Sequence, residues 1–383
     1  MGKIYTALGL MSGTSMDGVD ASVIQTDGKS KYKSILDKYF EYPKDIYKKL
    51  TNIRDKIKSS KDLKKHQKQI KLVEKEITIF HAKAVNETLK LSNLNVDFVG
   101  FHGQTIYHDT NYFDYYYDTF SSKDKISKQL GDGKLLSKLT KKKVVYDFRQ
   151  NDLKNSGQGA PLTPIFHELL VKKFKIKSDI AFVNLGGIAN KTDICDGKIS
   201  KANDIGPAMC LIDKWIRSHS NKKYDDNGKL ACSGKINKII LNKTLKKNFN
   251  SLQREIAGRP MKTSFDIKDF DLSFVKKLSL KDGVATLTEI TLKMILPTLK
   301  VLHNEKEKIV LCGGGRKNKF LVEKIKKKVP IKIIDDYGID GDFVESQAFA
   351  YLAIRSYLKL PISFPNTTGC KKPCTGGVIV KNF

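Results

Sequence analysis

Three short glycine turns each follow a run of strand-type residues. They are Ser12-Gly13-Thr14-Ser15, Leu185-Gly186-Gly187 and Cys312-Gly313-Gly314-Gly315. Without a Cβ in the way, backbone N–H groups at such turns can approach an anion closely, so the chemistry they suggest is phosphate binding. A single turn of this kind is a tight turn and nothing more; three after separate strands make a pattern. The Walker A spacing is absent: Gly228 to Gly234 is one residue too long, and Ile236 follows Lys235. No dinucleotide fingerprint occurs either. Asp17 and Asp20 lie in and beyond the first turn, where a carboxylate can reach a hard cation through water or simply shape a hairpin. Asp204 stands just before Gly206 and Pro207, ahead of an apolar segment. A carboxylate there is either a helix N-cap or a proton acceptor.

These residues need a scaffold, and the apolar pattern supplies one. Ile4–Met11 reads as a strand, Ser12–Gly18 as a turn and Val19–Gln25 as a second strand. A polar helical region follows, with Ile70, Val73, Ile77, Phe80, Ala84 and Leu89 on one face. Val96–His102 is a short strand ending at Gly103, residues 109–128 a tyrosine-rich loop or hairpin, and Lys143–Phe148 another strand. Ile180–Leu185, the Gly186–Gly187 turn and Ile188–Ile194 repeat the strand–glycine–strand theme of the N-terminus. Asp204–Pro207 precedes a helix containing Leu211, Ile212 and Trp215. Gly283–Leu302 and Glu345–Leu358 are helices, and Lys308–Cys312 is a strand. Alternating strands and helices define an α/β protein.

Read together, the segments resemble the anhydro-N-acetylmuramic acid kinases, of the actin/hexokinase-like ATPase superfamily. Gly9-Leu10-Met11-Ser12-Gly13-Thr14-Ser15-Met16-Asp17-Gly18-Val19-Asp20 is similar to the family's N-terminal signature. In family order follow Phe101-His102-Gly103-Gln104-Thr105, Asp147-Phe148-Arg149, Gly157-Gln158-Gly159-Ala160-Pro161-Leu162 and Asn184-Leu185-Gly186-Gly187-Ile188-Ala189-Asn190. Then come Asp204-Ile205-Gly206-Pro207, Cys312-Gly313-Gly314-Gly315-Arg316-Lys317-Asn318, and Gly338-Ile339-Asp340-Gly341-Asp342 running to Glu345-Ser346-Gln347-Ala348-Phe349-Ala350. The blocks span almost the whole chain.

The resemblance implies two ribonuclease-H-like domains flanking an active-site cleft. The expected division is residues 1–140 with 357–383 returning, and residues 141–356. It implies ATP and Mg²⁺, with water opening the anhydro bond and the freed O6 receiving the phosphoryl group. Asp204 matches the general base. Gly13, Thr14, Ser15, Met16, Asp17, Gly18, Val19 and Asp20, with Gly186, Gly187, Gly313, Gly314, Gly315 and Asn318, are the expected ATP contacts. His102, Gln104, Thr105, Arg149 and Glu345 are the expected sugar contacts; Arg149 would pair with the lactyl carboxylate. Asp17 and Asp20 would reach the metal through water. The usual metal Asp of actin-like ATPases, two residues before the first turn glycine, is Met11 here.

The chain also departs from the family pattern. Ile205, Ala208 and Met209 replace a hydroxyl, a glycine and an amide after the base; Ser156 replaces a glycine. Lys262–Phe270 matches a motif near Asp266 loosely, with Ile267 in place of an arginine. A kinase for an unsubstituted anhydro sugar such as levoglucosan, and a non-catalytic nucleotide or sugar sensor, stay open on the sequence.

Composition bounds the partners. The 383 residues carry a formal net charge of +29, but only seven of the 70 basic side chains are arginines. Arginine is the preferred reader of bases and phosphates, and the lysines form no confined tract, so nucleic acid is not expected. No apolar run is long enough to cross a membrane. Gly2 and Thr6 fit the N-myristoylation spacing, but Ile4–Met11 reads as a core strand. Cys195, Cys210, Cys232, Cys312, Cys370 and Cys374 are scattered, which suggests free thiols; Cys370 and Cys374, with three residues between them and no second pair, make a poor zinc site. A cytoplasmic homodimer using small-molecule substrates is the expectation.

Overall fold

A computed structural model of the chain describes residues 2–383 apart from 111–112, 115–118, 121–124, 177, 247–271 and 305–307. The loosely matching motif at Lys262–Phe270 and most of the tyrosine cluster therefore lie outside the described residues. The chain forms two compact units. The first is Met1–Thr110, Asp124–Ile176 and Asp342–Phe383; the second is Asn111–Lys123 and Lys177–Gly341.

In the first unit, β1 (Tyr5–Ser12), β2 (Gly18–Thr26) and β3 (Tyr32–Glu41) form an antiparallel meander. β1 then pairs in parallel with β4 (Phe98–Asp109). A short antiparallel ribbon, β5 (Phe113–Asp114) and β6 (Thr119–Phe120), follows in sequence. β7 (Ile126–Leu130) adds to the far half of β4; β8 (Val144–Tyr146) pairs with β4 in parallel. In the second unit, β9 (Ile180–Leu185), β10 (Ile188–Cys195) and β11 (Lys198–Pro207) form the meander, with β12 (Lys308–Cys312) and β13 (Ile331–Ile333) parallel beyond β9. The first sheet closes with β14 (Val378–Val380) antiparallel to β8. Both units thus share one strand order, three antiparallel strands followed by two parallel ones. This duplicated order is the ribonuclease-H-like topology, and the chain has the two-domain actin/hexokinase-like fold.

Alternation along β1 shows how the first sheet is covered on both faces. Leu8 and Leu10 join a core with Ile53 from helix Lys44–Lys56 and Ile70, Val73 and Ile77 from helix Gln67–Ser92. The intervening Gly9 lies under helix Val344–Tyr357: a Cβ there would come within 1.9 Å of the Ser346 carbonyl oxygen. Glycine thus lets helix and strand approach closely. The second sheet packs Ala181, Val183 and Leu185 against Leu292, Ile295 and Leu299 of helix Leu280–Asn304.

The expected domain boundaries need correction. Residues 141–176 and 342–356 belong to the first unit, because β8 extends its sheet and helix Val344–Tyr357 packs across β1, β2 and β4. Besides the three-residue strands β13 and β14, two longer ones, β3 and β11, are not legible in the sequence pattern. Both are rich in polar, partly exposed residues and lie at sheet edges, so period-two alternation is weak. β4 runs through Gly103 to Asp109 instead of stopping there.

Candidate active site

In the first unit, several of the expected residues gather where β1 ends against the middle of β4. Leu10 pairs with Phe101 but Ser12 pairs with Gln104, so β4 carries an extra residue. Gly103 sits in that bulge at φ 77°, and a Cβ there would lie 2.2 Å from the Leu130 carbonyl oxygen. Bulges re-aim neighbouring side chains. Here Gln104 Nε2 donates to the Gly13 carbonyl at 2.9 Å, joining the expected sugar loop to the expected phosphate turn. Gln104 Oε1 is buried with no protein partner among the described residues. Thr105 Oγ1 accepts from Gln129 Nε2 at 3.1 Å.

The first turn is braced from within. Met16 is buried at φ 58°, its N–H donating to the Gly13 carbonyl at 3.1 Å. Ser15 Oγ donates to Asp17 Oδ1 at 2.5 Å. Thr14 is exposed, whereas Gly18 and Val19 are buried. A Cβ at Gly18 would meet the Phe40 carbonyl oxygen at 2.4 Å, so that glycine serves the fold. Gly13 differs: a Cβ there would meet nothing nearer than Ser15 Oγ at 3.5 Å. Half-buried Asp20 stands opposite Met11 in the ladder, and Asp17 and Asp20 both raise the Tyr39 and Tyr42 phenols, after burial. Two carboxylates near one hairpin are an oxygen donor set that suits a hard, water-bridged cation.

Beneath the turn lies a buried relay that the sequence pattern does not reveal. His81 Nδ1–H donates to the Ile77 carbonyl at 2.7 Å, which leaves Nε2 as an acceptor for the Ser12 hydroxyl at 2.9 Å. Tyr42 then donates to Ser12 Oγ at 3.1 Å. Burial lowers the His81 pKa to about 4, keeping it neutral. Its one sequence signal is its place one turn beyond Ile77 on the apolar face.

His102 and Arg149 come together. His102 Nδ1–H donates to the Gly103 carbonyl at 2.7 Å, so its Nε2 accepts from Arg149 Nη2 at 2.8 Å and Nε at 3.1 Å. Burial, then Arg149, holds its pKa well below the usual histidine range. His102 is therefore a neutral prop for the guanidinium, and its ring packs against Phe349 at a centroid distance of 4.5 Å and a tilt of 41°. Arg149 Nη1 also donates to the Gly159 carbonyl at 2.7 Å. Glu345, half-buried in the first turn of helix Val344–Tyr357, is its electrostatic neighbour: burial pushes the carboxyl pKa up and Arg149 pulls it back.

In the second unit, the two glycine turns lie side by side at the carboxyl ends of β9 and β12, where open α/β sheets bind ligands. Cys312 pairs with Asn184, and a Cβ at Gly315 would meet Leu185 Cβ at 2.7 Å. Gly313 needs its positive φ of 78°, whereas a Cβ at Gly314 would enter open space. The Gly186 and Gly187 carbonyls accept from Met209 and Ala208 N–H groups, both at 3.0 Å. Asn318 serves the structure, because its Oδ1 caps helix Lys319–Lys326 by accepting from Leu321 N–H at 3.0 Å. Arg316, to which the sequence pattern assigns no role, is a brace. It donates to both Asp335 oxygens at 2.6 and 2.9 Å, to Asp340 at 3.2 Å and to the Gly313 carbonyl at 3.2 Å.

Asp204 lies within β11, not at a helix end. The following helix starts at Cys210 with Met209 as N-cap, so Asp204 does not cap it. Ala189 pairs with Gly206 and Asn190 with Asp204, leaving Ile205 as a bulge. Gly206, at φ 138°, supplies backbone that other residues rarely adopt. Ile205 and Ala208 drop into the core of the second unit and Met209 packs against it. Half-buried Asp204 is left at the bulge beside Asn203, whose Oδ1 is buried without a protein partner among the described residues.

The profile of the family described as anhydro-N-acetylmuramic acid kinase matches residues 5–382. A protein of that name from Pelagibacter ubique (strain HTCC1062) is 53% identical over 393 aligned positions, covering 100% of both chains. One from Agrobacterium fabrum (strain C58 / ATCC 33970) is 35% identical over 391 positions, again covering 100% of both. Among solved structures, the activator of the 2-hydroxyisocaproyl-CoA dehydratase from Clostridium difficile with bound ADPNP is similar at 9% identity and a TM-score of 0.40, covering 91% of this chain and 94% of that one.

Proposed function

The chain belongs to the anhydro-N-acetylmuramic acid kinase family, and from that premise we propose how its own residues perform the reaction. The enzyme opens 1,6-anhydro-N-acetylmuramic acid with water and phosphorylates O6 from ATP. The products are N-acetylmuramate 6-phosphate and ADP, a step in peptidoglycan recycling. Asp204 takes the proton of the water that attacks the anomeric carbon; the bond from that carbon to O6 breaks. O6 then takes the γ-phosphoryl group and ADP leaves.

The observation that carries this assignment is the bulge at Ile205, which leaves Asp204 half-buried, away from the helix cap and beside an amide oxygen that has no partner among the described residues. Phosphoryl transfer depends mainly on positioning and charge stabilisation. The backbone N–H groups of residues 13–20 receive the phosphates, with Gly186 and Gly187 as the second turn. Gly313–Gly315 lie against adenosine, and Asn318 holds that turn by capping the helix behind it. Asp17 and Asp20 would hold the waters of a Mg²⁺ ion, which supplies charge neutralisation on the phosphates when bound. Arg149, steadied by His102, pairs with the lactyl carboxylate; Glu345, Gln104 and Thr105 face sugar hydroxyls. Because Ile205 and Ala208 serve the core, these departures from the family pattern favour no other sugar. We also propose a cytoplasmic homodimer without nucleic-acid or membrane partners. No described helix is long and apolar enough to cross a membrane.

The test is turnover in ¹⁸O-labelled water with ATP and Mg²⁺, beside Asp204→Asn. The wild type should give a 6-phosphate carrying label at the anomeric oxygen. Losing the general base should slow it about 10²–10⁴-fold. An unlabelled product, or an Asp204→Asn enzyme at wild-type rate, would remove Asp204 from the mechanism.

A further inference from the structure

One cluster of metal-type donors lies outside every residue assigned to ATP or sugar. Cys370-Lys371-Lys372-Pro373-Cys374 holds two thiols on a short C-terminal segment, too little for a metal by spacing alone. The fold adds a third donor from far away in sequence. Asp152, on helix Gln150–Lys154, comes up against both, and one carboxylate oxygen and the two sulfurs all lie within 4.8 Å of one another. All three residues are buried: Asp152 and Cys370 are 1% exposed and Cys374 is 4% exposed.

We propose that Asp152, Cys370 and Cys374 bind one zinc-class divalent cation that ties the C-terminal segment to the helix following Arg149. Zn–S and Zn–O bonds of about 2.0–2.3 Å place tetrahedral ligand atoms roughly 3.3–3.8 Å apart, so small side-chain rotations bring this cluster to bonding geometry. The carboxylate is already oriented: Gly159 N–H donates to its Oδ2 at 2.7 Å and Thr368 Oγ1 to its Oδ1 at 2.6 Å. Each oxygen keeps a second lone pair, and outer partners of this kind are what orient metal ligands.

Ser363 adds an independent observation. It exchanges backbone hydrogen bonds with Cys374, at 3.0 and 3.3 Å, so the two side chains share a face. Its Oγ is fully buried with no protein partner among the described residues, the polar group expected beside a fourth ligand or its bound water. On binding, both thiol protons pass to solvent, and Cys374 gives up its S–H bond to the Lys372 carbonyl at 3.0 Å. Arg149 bonds the Gly159 carbonyl and Asp152 the Gly159 N–H, so the cation would also steady the guanidinium.

The test uses the full chain, stripped with chelator under reductant and titrated with Co²⁺, then Zn²⁺. One equivalent of Co²⁺ should give thiolate-to-cobalt charge-transfer absorption, Zn²⁺ should displace it, and Zn²⁺ should raise Tm. Cys370→Ala and Cys374→Ala should each abolish the band. Their affinity should fall beyond the ~10–100-fold that loss of an outer partner costs, with the metal-free Tm as the control for folding. The proposal is overturned if the wild type shows no thiolate band, if a variant carrying both Cys370→Ala and Cys374→Ala binds equally well through other donors, or if the thiols form a disulfide in the presence of Zn²⁺ and retain no metal.

Discussion

Replacing Gly13 by alanine separates what the fold needs from what a ligand needs. A Cβ at Gly13 would meet only Ser15 Oγ, at 3.5 Å, an ordinary contact, and the backbone there is not left-handed. The folded state should therefore accept the methyl group, and the stiffer unfolded chain should add about 0.4–1 kcal/mol of stability. On the proposed assignment, the added carbon would nevertheless stand where turn N–H groups would meet phosphate. Losing one charge-assisted hydrogen bond costs about 1.5–3 kcal/mol, which at ~1.4 kcal/mol per decade is roughly a 10–150-fold rise in KM for ATP. Thermal melts paired with ATP titrations at saturating sugar provide the assay. Gly18→Ala is the contrasting control, because its Cβ would lie 2.4 Å from the Phe40 carbonyl oxygen and should lower Tm. If Gly13→Ala melts early while KM for ATP is unchanged, the glycine is structural and the phosphate assignment is wrong.

Arg149→Lys forfeits the two-point contact on His102. It should raise KM for the sugar about tenfold or more, leaving KM for ATP near wild type; a fall in Tm with both constants unchanged would make Arg149 purely structural. Ser156 stands at φ 69° where the family pattern has glycine. Left-handed backbone costs a non-glycine residue about 1–2 kcal/mol, so Ser156→Gly should stabilise the protein, measurably by denaturant titration, and a loss of stability would contradict this. Acid should destabilise the fold through its neutral buried histidines. Burial depresses His81 to about 4 and His167 to about 3. Because these folded values lie below the unfolded ~6.5, their stabilisation is complete above pH 6.5 and is lost as pH falls through 4 and then 3. For His81 alone the loss is roughly 3 kcal/mol by pH 4; a flat Tm between pH 7 and pH 4.5 would count against it.

The signals that survived from sequence to structure are local ones. The glycine turns follow β1, β9 and β12 as their apolar runs suggest, and the face of Ile70, Val73 and Ile77 is buried in helix Gln67–Ser92. Strand, turn and amphipathic helix are written in a few neighbouring residues, because steric freedom and apolar period act over that range. The resemblance also named Asp204, Arg149 and Glu345 by type and order. Tertiary structure decided the rest, because it depends on pairing between distant segments. The β4 bulge turns Gln104 onto Gly13, the β11 bulge sends Ile205 into the core and keeps Asp204 off the helix cap, and β8 carries residues 141–176 into the first unit. His102 became a prop for Arg149 only when Gly103 fixed its tautomer. Cys370 and Cys374 gained Asp152 the same way. Residue type limits what a side chain can do; the partner that folding places against it selects which of those things it does.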